Sequence, residues 1–151
     1  MSTTNDPAKL SPKLQRVLTD IHQDLTATFA FYRAGIQQFS REAPYAICAE
    51  LADRHLQKFN LLLQTYGLTI EANPQSVGVE LPSDEHEAGH AALKLALDRD
   101  LRYKTWIADI VETEMTETIG YRDIHQLLTN IEHGIHDRGI PSFKQYLEHG
   151  T

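Results

Sequence analysis

Between Pro12 and Ser40, apolar residues return every three or four positions: Leu14, Leu18, Ile21, Leu25, Phe29, Tyr32, Ile36 and Phe39. This spacing marks one face of an α-helix, because a 3.6-residue turn brings i, i+3, i+4 and i+7 into line. Ser11-Pro12 supplies the start. The serine hydroxyl accepts from an otherwise free first-turn amide, and proline lacks an N–H where none is needed. An apolar stripe of this kind has to be buried against another element.

The remaining sequence meets that demand. A second helix is expected from Pro44 to Tyr66, with Ile47, Leu51, Phe59, Leu62 and Tyr66 inward and Gly67 ending it in a left-handed conformation. The break at Arg41-Glu42-Ala43 is short, which predicts antiparallel packing of the first two helices. Leu68 to Pro82 holds prolines and glycines and no helical period, so it reads as a long crossover; Val77, Val79 and Leu81 allow a short extended stretch. Ser83 caps a third helix from Asp84 toward Ile119, with Leu93, Leu97, Leu101, Ala108, Val111, Met115 and Ile119 on one face. It is either continuous or broken near Asp98-Arg99-Asp100. A fourth runs from Tyr121 to His136, with Gly139 and Pro141 ending it before a short terminal helix, Ser142 to Glu148. The expected fold is all-α: a four-helix bundle of ferritin-like connectivity, with a long crossover between helices 2 and 3 and a short C-terminal helix. Residues 1–11 are expected to be a disordered tail and residues 12–151 a single domain.

Composition narrows the function classes. A net charge of -7 with scattered Lys and Arg leaves no basic face for duplex nucleic acid. No window approaches the roughly 18 apolar residues of a membrane span, and the start of the chain has no leader pattern, so a cytoplasmic protein is expected. One cysteine, Cys48, excludes an intrachain disulfide and reads as a small core residue. A homodimer is the expected assembly, with a protein partner as a further option.

Three stretches carry a resemblance. AELADRHLQKFNLLLQTYGL, Ala49 to Leu68, resembles the second helix of a family of uncharacterised bacterial ferritin-like proteins. DIHQLLTNIEHG, Asp123 to Gly134, is similar to the start of that family's last helix, and SFKQYLE, Ser142 to Glu148, to its closing segment. The resemblance implies a carboxylate-bridged dinuclear site inside the bundle, built from Glu residues and Glu-x-x-His pairs on facing helices and suited to iron or manganese.

The sequence departs from that pattern. Ala52 stands three residues before His55, the first helix contains no Glu, and Thr28 occupies its middle, with His22 and Asp24 only flanking the apolar face. The candidate ligands are therefore His55, at the centre of its helix's stripe; His86, Glu87 and His90, one turn apart at the start of helix 3; Glu112 and Glu114, flanking that helix's apolar face; and Glu132 and His136, spaced by four on the last helix. His125, His133 and His149 read as surface residues.

Two functions follow, with a weaker third. The first is a ferritin-like metal-binding bundle holding iron or manganese and supporting oxidase or peroxide chemistry, with His55 meeting at least two carboxylates or histidines from other helices. The second is the same bundle without a working metal site, acting as a binding or structural module with no cofactor. The third is hemerythrin-like dioxygen binding through His22, His55, His86 and His90, against which Phe59 stands where a carboxylate is expected.

Overall fold

The computed structural model describes residues 11–40, 43–70, 77, 79–110 and 122–149. All regular structure among these residues is helical. In chain order the helices are α1 (Pro12–Phe39), α2 (Tyr45–Thr65), α3 (Glu85–Ile110), α4 (Arg122–Gly134), a π-helical turn (Ile135–Gly139) and α5 (Ile140–His149). None of them is long and apolar enough to cross a membrane.

The ends follow local chemistry. Ser11 caps α1, its hydroxyl accepting from the Leu14 amide at 3.1 Å, and Ser40 closes it at φ 49° with its N–H on Ile36 O. After α2, Gly67 at φ 71° reverses the chain while the Leu68 amide donates to Leu63 O at 2.9 Å. That bond crosses the left-handed residue in the way a Schellman cap does. α2 lies back along α1, with Tyr45 fully buried against Gly35. Of the crossover, Val77, Val79 and Leu81 lie against the upper core without forming a strand, and Gln38 donates to Pro82 O at 2.8 Å.

Gly139 and Pro141 do not end the fourth helix. Gly134 (φ -63°, ψ -41°) and Ile140 (φ -63°, ψ -50°) are both right-handed helical, so α4, the π turn and α5 form one continuous rod. The Ile140 amide reaches back five residues to Ile135 O. This wider turn takes in one extra residue and sits where Pro141 has no N–H for an ordinary i→i−4 bond. The expected terminal helix is thus the second half of the fourth bundle helix. Its Phe143 packs 5.9 Å from Tyr32 of α1 and 5.2 Å from Tyr45 of α2, ring centre to ring centre.

Two expected faces are rotated. On α3, Leu97 and Leu101 are 42 % and 65 % exposed, and the inward side carries Ala88, Ala92, Leu95, Ala96, Arg99, Asp100 and Tyr103. On α2, Ile47 is 47 % exposed, while Cys48, Ala49, Ala52, His55 and Phe59 are buried. In both helices small residues face inward because they let backbones approach closely, and the larger aliphatics are left on the flank. The helix does not break at Asp98-Arg99-Asp100; α3 runs unbroken through it to Ile110. Its expected continuation toward Ile119, with Glu112 and Glu114, lies outside the described residues, as does the tail over residues 1–10.

Candidate metal centre

The inward charges of α3 point to two different places. Arg99 enters the bundle. Its Nε lies 3.0 Å and 3.2 Å from the two Asp24 oxygens, and a terminal nitrogen lies 2.9 Å from Oδ2, the side-on grip that fits a guanidinium to a carboxylate. Both side chains are 5 % exposed. The Tyr103 hydroxyl donates to Asp24 Oδ2 at 2.7 Å, and Arg102 reaches Oδ1 at 3.2 Å from the surface. Burial would lower the Arg99 pKa, but Asp24 outweighs it and the guanidinium is held charged. A fixed positive charge therefore lies in the interior of the bundle, where the resemblance implies a metal.

His55 lines a cavity with this guanidinium. The cavity is about 20 Å³, room for one water molecule, and is lined also by Tyr32, Cys48, Leu51, Ala52, Ala96, Gly134, Ile135 and Gly139. None of these is a carboxylate or a second histidine. Burial first, then the charges of Arg99, Lys58 and Arg54, depress the imidazole to about 4, so it is neutral near pH 7. Burial also pushes the Cys48 thiol up to about 12, which leaves it un-ionised and small, as expected for a core residue. The structure does not bring His55 together with any other candidate ligand among the described residues.

Asp100, next in sequence, turns the opposite way and meets the fourth helix. One ligand atom each from Asp100, Glu132 and His136 lies within 4.8 Å of the others. His136 Nδ1 is 3.3 Å from Asp100 Oδ2, and the Lys104 ammonium sits 3.1 Å from that oxygen and 3.8 Å from Glu132 Oε2. Asp100 and Glu132 are buried, whereas His136 is exposed. The two carboxyls are neighbours, and each shifts the titration of the other. Burial, then Asp100 beside it, push Glu132 upward. Burial opposes ionisation of Asp100 too, but the bonds from Glu132, Lys104 and His136 prevail and hold it low. Asp100 Oδ1 is buried and receives no N–H or hydroxyl hydrogen bond. It has use for a proton or a cation.

This cluster is the only group of at least three such donors among the described residues. Two of its members, Glu132 and His136, are among the candidates the sequence offers, although their spacing of four departs from the expected three. Asp100 and Lys104 were not singled out, nor were Asp24, Arg99 and Tyr103 of the ion-pair network. The available signal was Asp98-Arg99-Asp100 itself: three charges in an unbroken helix, at least one of which must lie near the inward face. His86 and His90 are exposed and meet each other, Nε2 to Nε2 at 3.2 Å, and Glu87 is exposed between them. They join neither His55 nor the Asp100 cluster. His22 is buried on α1, depressed by burial despite a hydrogen bond with Asn60, and also stands apart. His133 lies on the rim, 3.8 Å from Glu132.

No family model, no curated protein and no solved structure matches this chain in comparisons with known proteins.

Proposed function

We propose that this bundle binds one divalent metal ion, manganese or iron, at Asp100, Glu132 and His136, between α3 and the continuous fourth helix with its π turn. The carrying observation is the convergence of two buried carboxylates and an imidazole from two helices within 4.8 Å, with a buried Asp100 oxygen left without an N–H or hydroxyl partner. An ion with bonds near 2.0–2.2 Å holds neighbouring donors roughly 3–3.5 Å apart; His136 Nδ1 and Asp100 Oδ2 are already 3.3 Å apart, and the set of three, within 4.8 Å, must draw together. Carboxylate oxygens with one imidazole suit manganese or ferrous iron. Lys104 is the resident counter-charge, and its half-exposed side chain can leave for solvent when the ion enters. Three protein ligands leave coordination positions open, the condition for oxidase or peroxide chemistry at such an ion. On this reading the bundle has ferritin-like connectivity, but its metal lies beside the Arg99–Asp24 pair and not in the centre.

The second reading, a bundle serving as a binding or structural module, is favoured by the same Arg99–Asp24 pair, which supplies the interior positive charge without a metal. Elemental mass spectrometry of the purified, untagged protein separates the two. About one manganese or iron per chain is expected, lost in Asp100→Asn and His136→Ala and retained in His55→Ala. Equal metal content in the wild type and the first two variants, or a folded protein that takes up no metal when supplied with it, overturns the metal reading.

A further inference from the structure

The first turns of α3 carry a histidine pair that the proposed centre does not use. His86 and His90 are one helical turn apart, so their side chains rise from the same face. Their Nε2 atoms are 3.2 Å apart, their ring centres 4.7 Å apart and their planes inclined by 83°. An ion bound at about 2.0–2.1 Å to both nitrogens places them roughly 3.2–3.4 Å apart at near-tetrahedral angles. The nitrogens already have the spacing a single zinc-like ion requires.

The backbone beneath the pair is fixed. Ala88 and Gly89, between the two histidines, are buried, and a Cβ at Gly89 would lie 2.9 Å from the Tyr146 ring of α5. Tyr146 also donates to Glu85 at 2.7 Å, and the Glu87 amide donates to the Asp84 side chain at 2.9 Å. The helix start is thus tied down on one side and presents both imidazoles to solvent on the other. Little ordering remains to oppose chelation, since only side-chain torsions adjust.

The run His86-Glu87-Ala88-Gly89-His90 has the order in which helices hold zinc by two histidines with a glutamate beside them. No third donor from the described residues joins this pair, so the arrangement is that of a two-histidine chelate with its other positions open. We infer that His86 and His90 bind a borderline divalent ion of the zinc, nickel or copper class, independently of the Asp100 centre. Imidazole pairs select these ions over manganese, which prefers oxygen.

Isothermal titration of the untagged, metal-stripped protein with zinc tests this against His86→Ala, His90→Ala and Asp100→Asn. Both histidines are exposed, so their variants keep the fold, which circular dichroism checks. Zinc affinity at one site is expected to fall at least tenfold in each histidine variant and to persist in Asp100→Asn. Copper titration should show the same loss, read from its visible absorption band. Zinc isotherms of His86→Ala and His90→Ala superimposing on that of the wild type overturn the inference. Loss of the Asp100 centre leaves these readouts untouched, so the two sites stand or fall separately.

Discussion

The Arg99 guanidinium meets the Asp24 carboxylate at 2.9 Å inside the bundle, with each side chain 5 % exposed. Two charges at this depth stabilise the fold only as a pair, because each carries a desolvation cost that the other offsets. Asp24→Ala leaves a buried guanidinium with no carboxylate, and we expect it to cost about 3–5 kcal/mol in urea unfolding. Replacing both, Asp24→Leu with Arg99→Met, should cost markedly less than the single change. If the double variant is as unstable as the sum of its singles, the pair is not a coupled unit.

Lys104 holds the place of a cation. Its ammonium is bonded to Asp100 at 3.1 Å, which raises its own pKa, and lies 3.8 Å from Glu132. On the proposed reading, a metal ion would have to displace it. Lys104→Met is therefore expected to tighten manganese binding several-fold in a competition titration, since it removes the competitor and keeps the donors. Weaker binding in this variant would assign Lys104 a supporting role.

His55 sets an acid limit on stability. Burial and the neighbouring cations hold its folded pKa near 4, against 6.5 in the unfolded chain. Between these values the unfolded state binds a proton that the folded state does not, so its contribution is intact above 6.5 and lost as pH falls toward 4. From pH 7 to pH 5 this amounts to about 2 kcal/mol. The loss should be smaller by that amount in His55→Leu, as measured by urea unfolding at the two pH values; parallel losses in both proteins would contradict it.

Gly35 lets α2 turn tightly back onto α1. A Cβ at this position would lie 2.5 Å from Cδ1 of the fully buried Tyr45, whose ring is held by Phe39 and Phe143. A close-packed aromatic cannot yield that distance, so Gly35→Ala should cost about 1–3 kcal/mol, read as a lower thermal midpoint. Gly67→Ala meets no atoms within 4 Å and instead strains a positive φ; a loss of about 1 kcal/mol is expected there.

Local signals located the helices well. The three-and-four spacing from Leu14 to Phe39, the Ser11-Pro12 start and the Gly67 stop all act within a turn or two of the chain, and each is where the sequence places it. Gly139 and Pro141 misled because a proline stops a helix only if its missing hydrogen bond cannot be absorbed, and the wider π turn absorbs it. The buried side of α3 was misjudged because its leucines are larger than the alanines beside them. Hydrophobicity ranks the leucines inward, whereas close helix approach selects Ala88, Ala92 and Ala96.

Sequence by itself determined that this chain forms long amphipathic helices and where most of them begin and end, and it offered Glu132 and His136, four apart on the last one, as candidates. Only the tertiary structure decided that Asp100 completes their cluster, that Arg99 takes the interior with Asp24, and that His55 faces a cation in place of ligands. The physical reason is range. Helix formation is governed by neighbours three or four residues away, while a site requires particular side chains on different helices to converge. That convergence depends on helix rotation and register, which small buried residues and a single π turn set by packing.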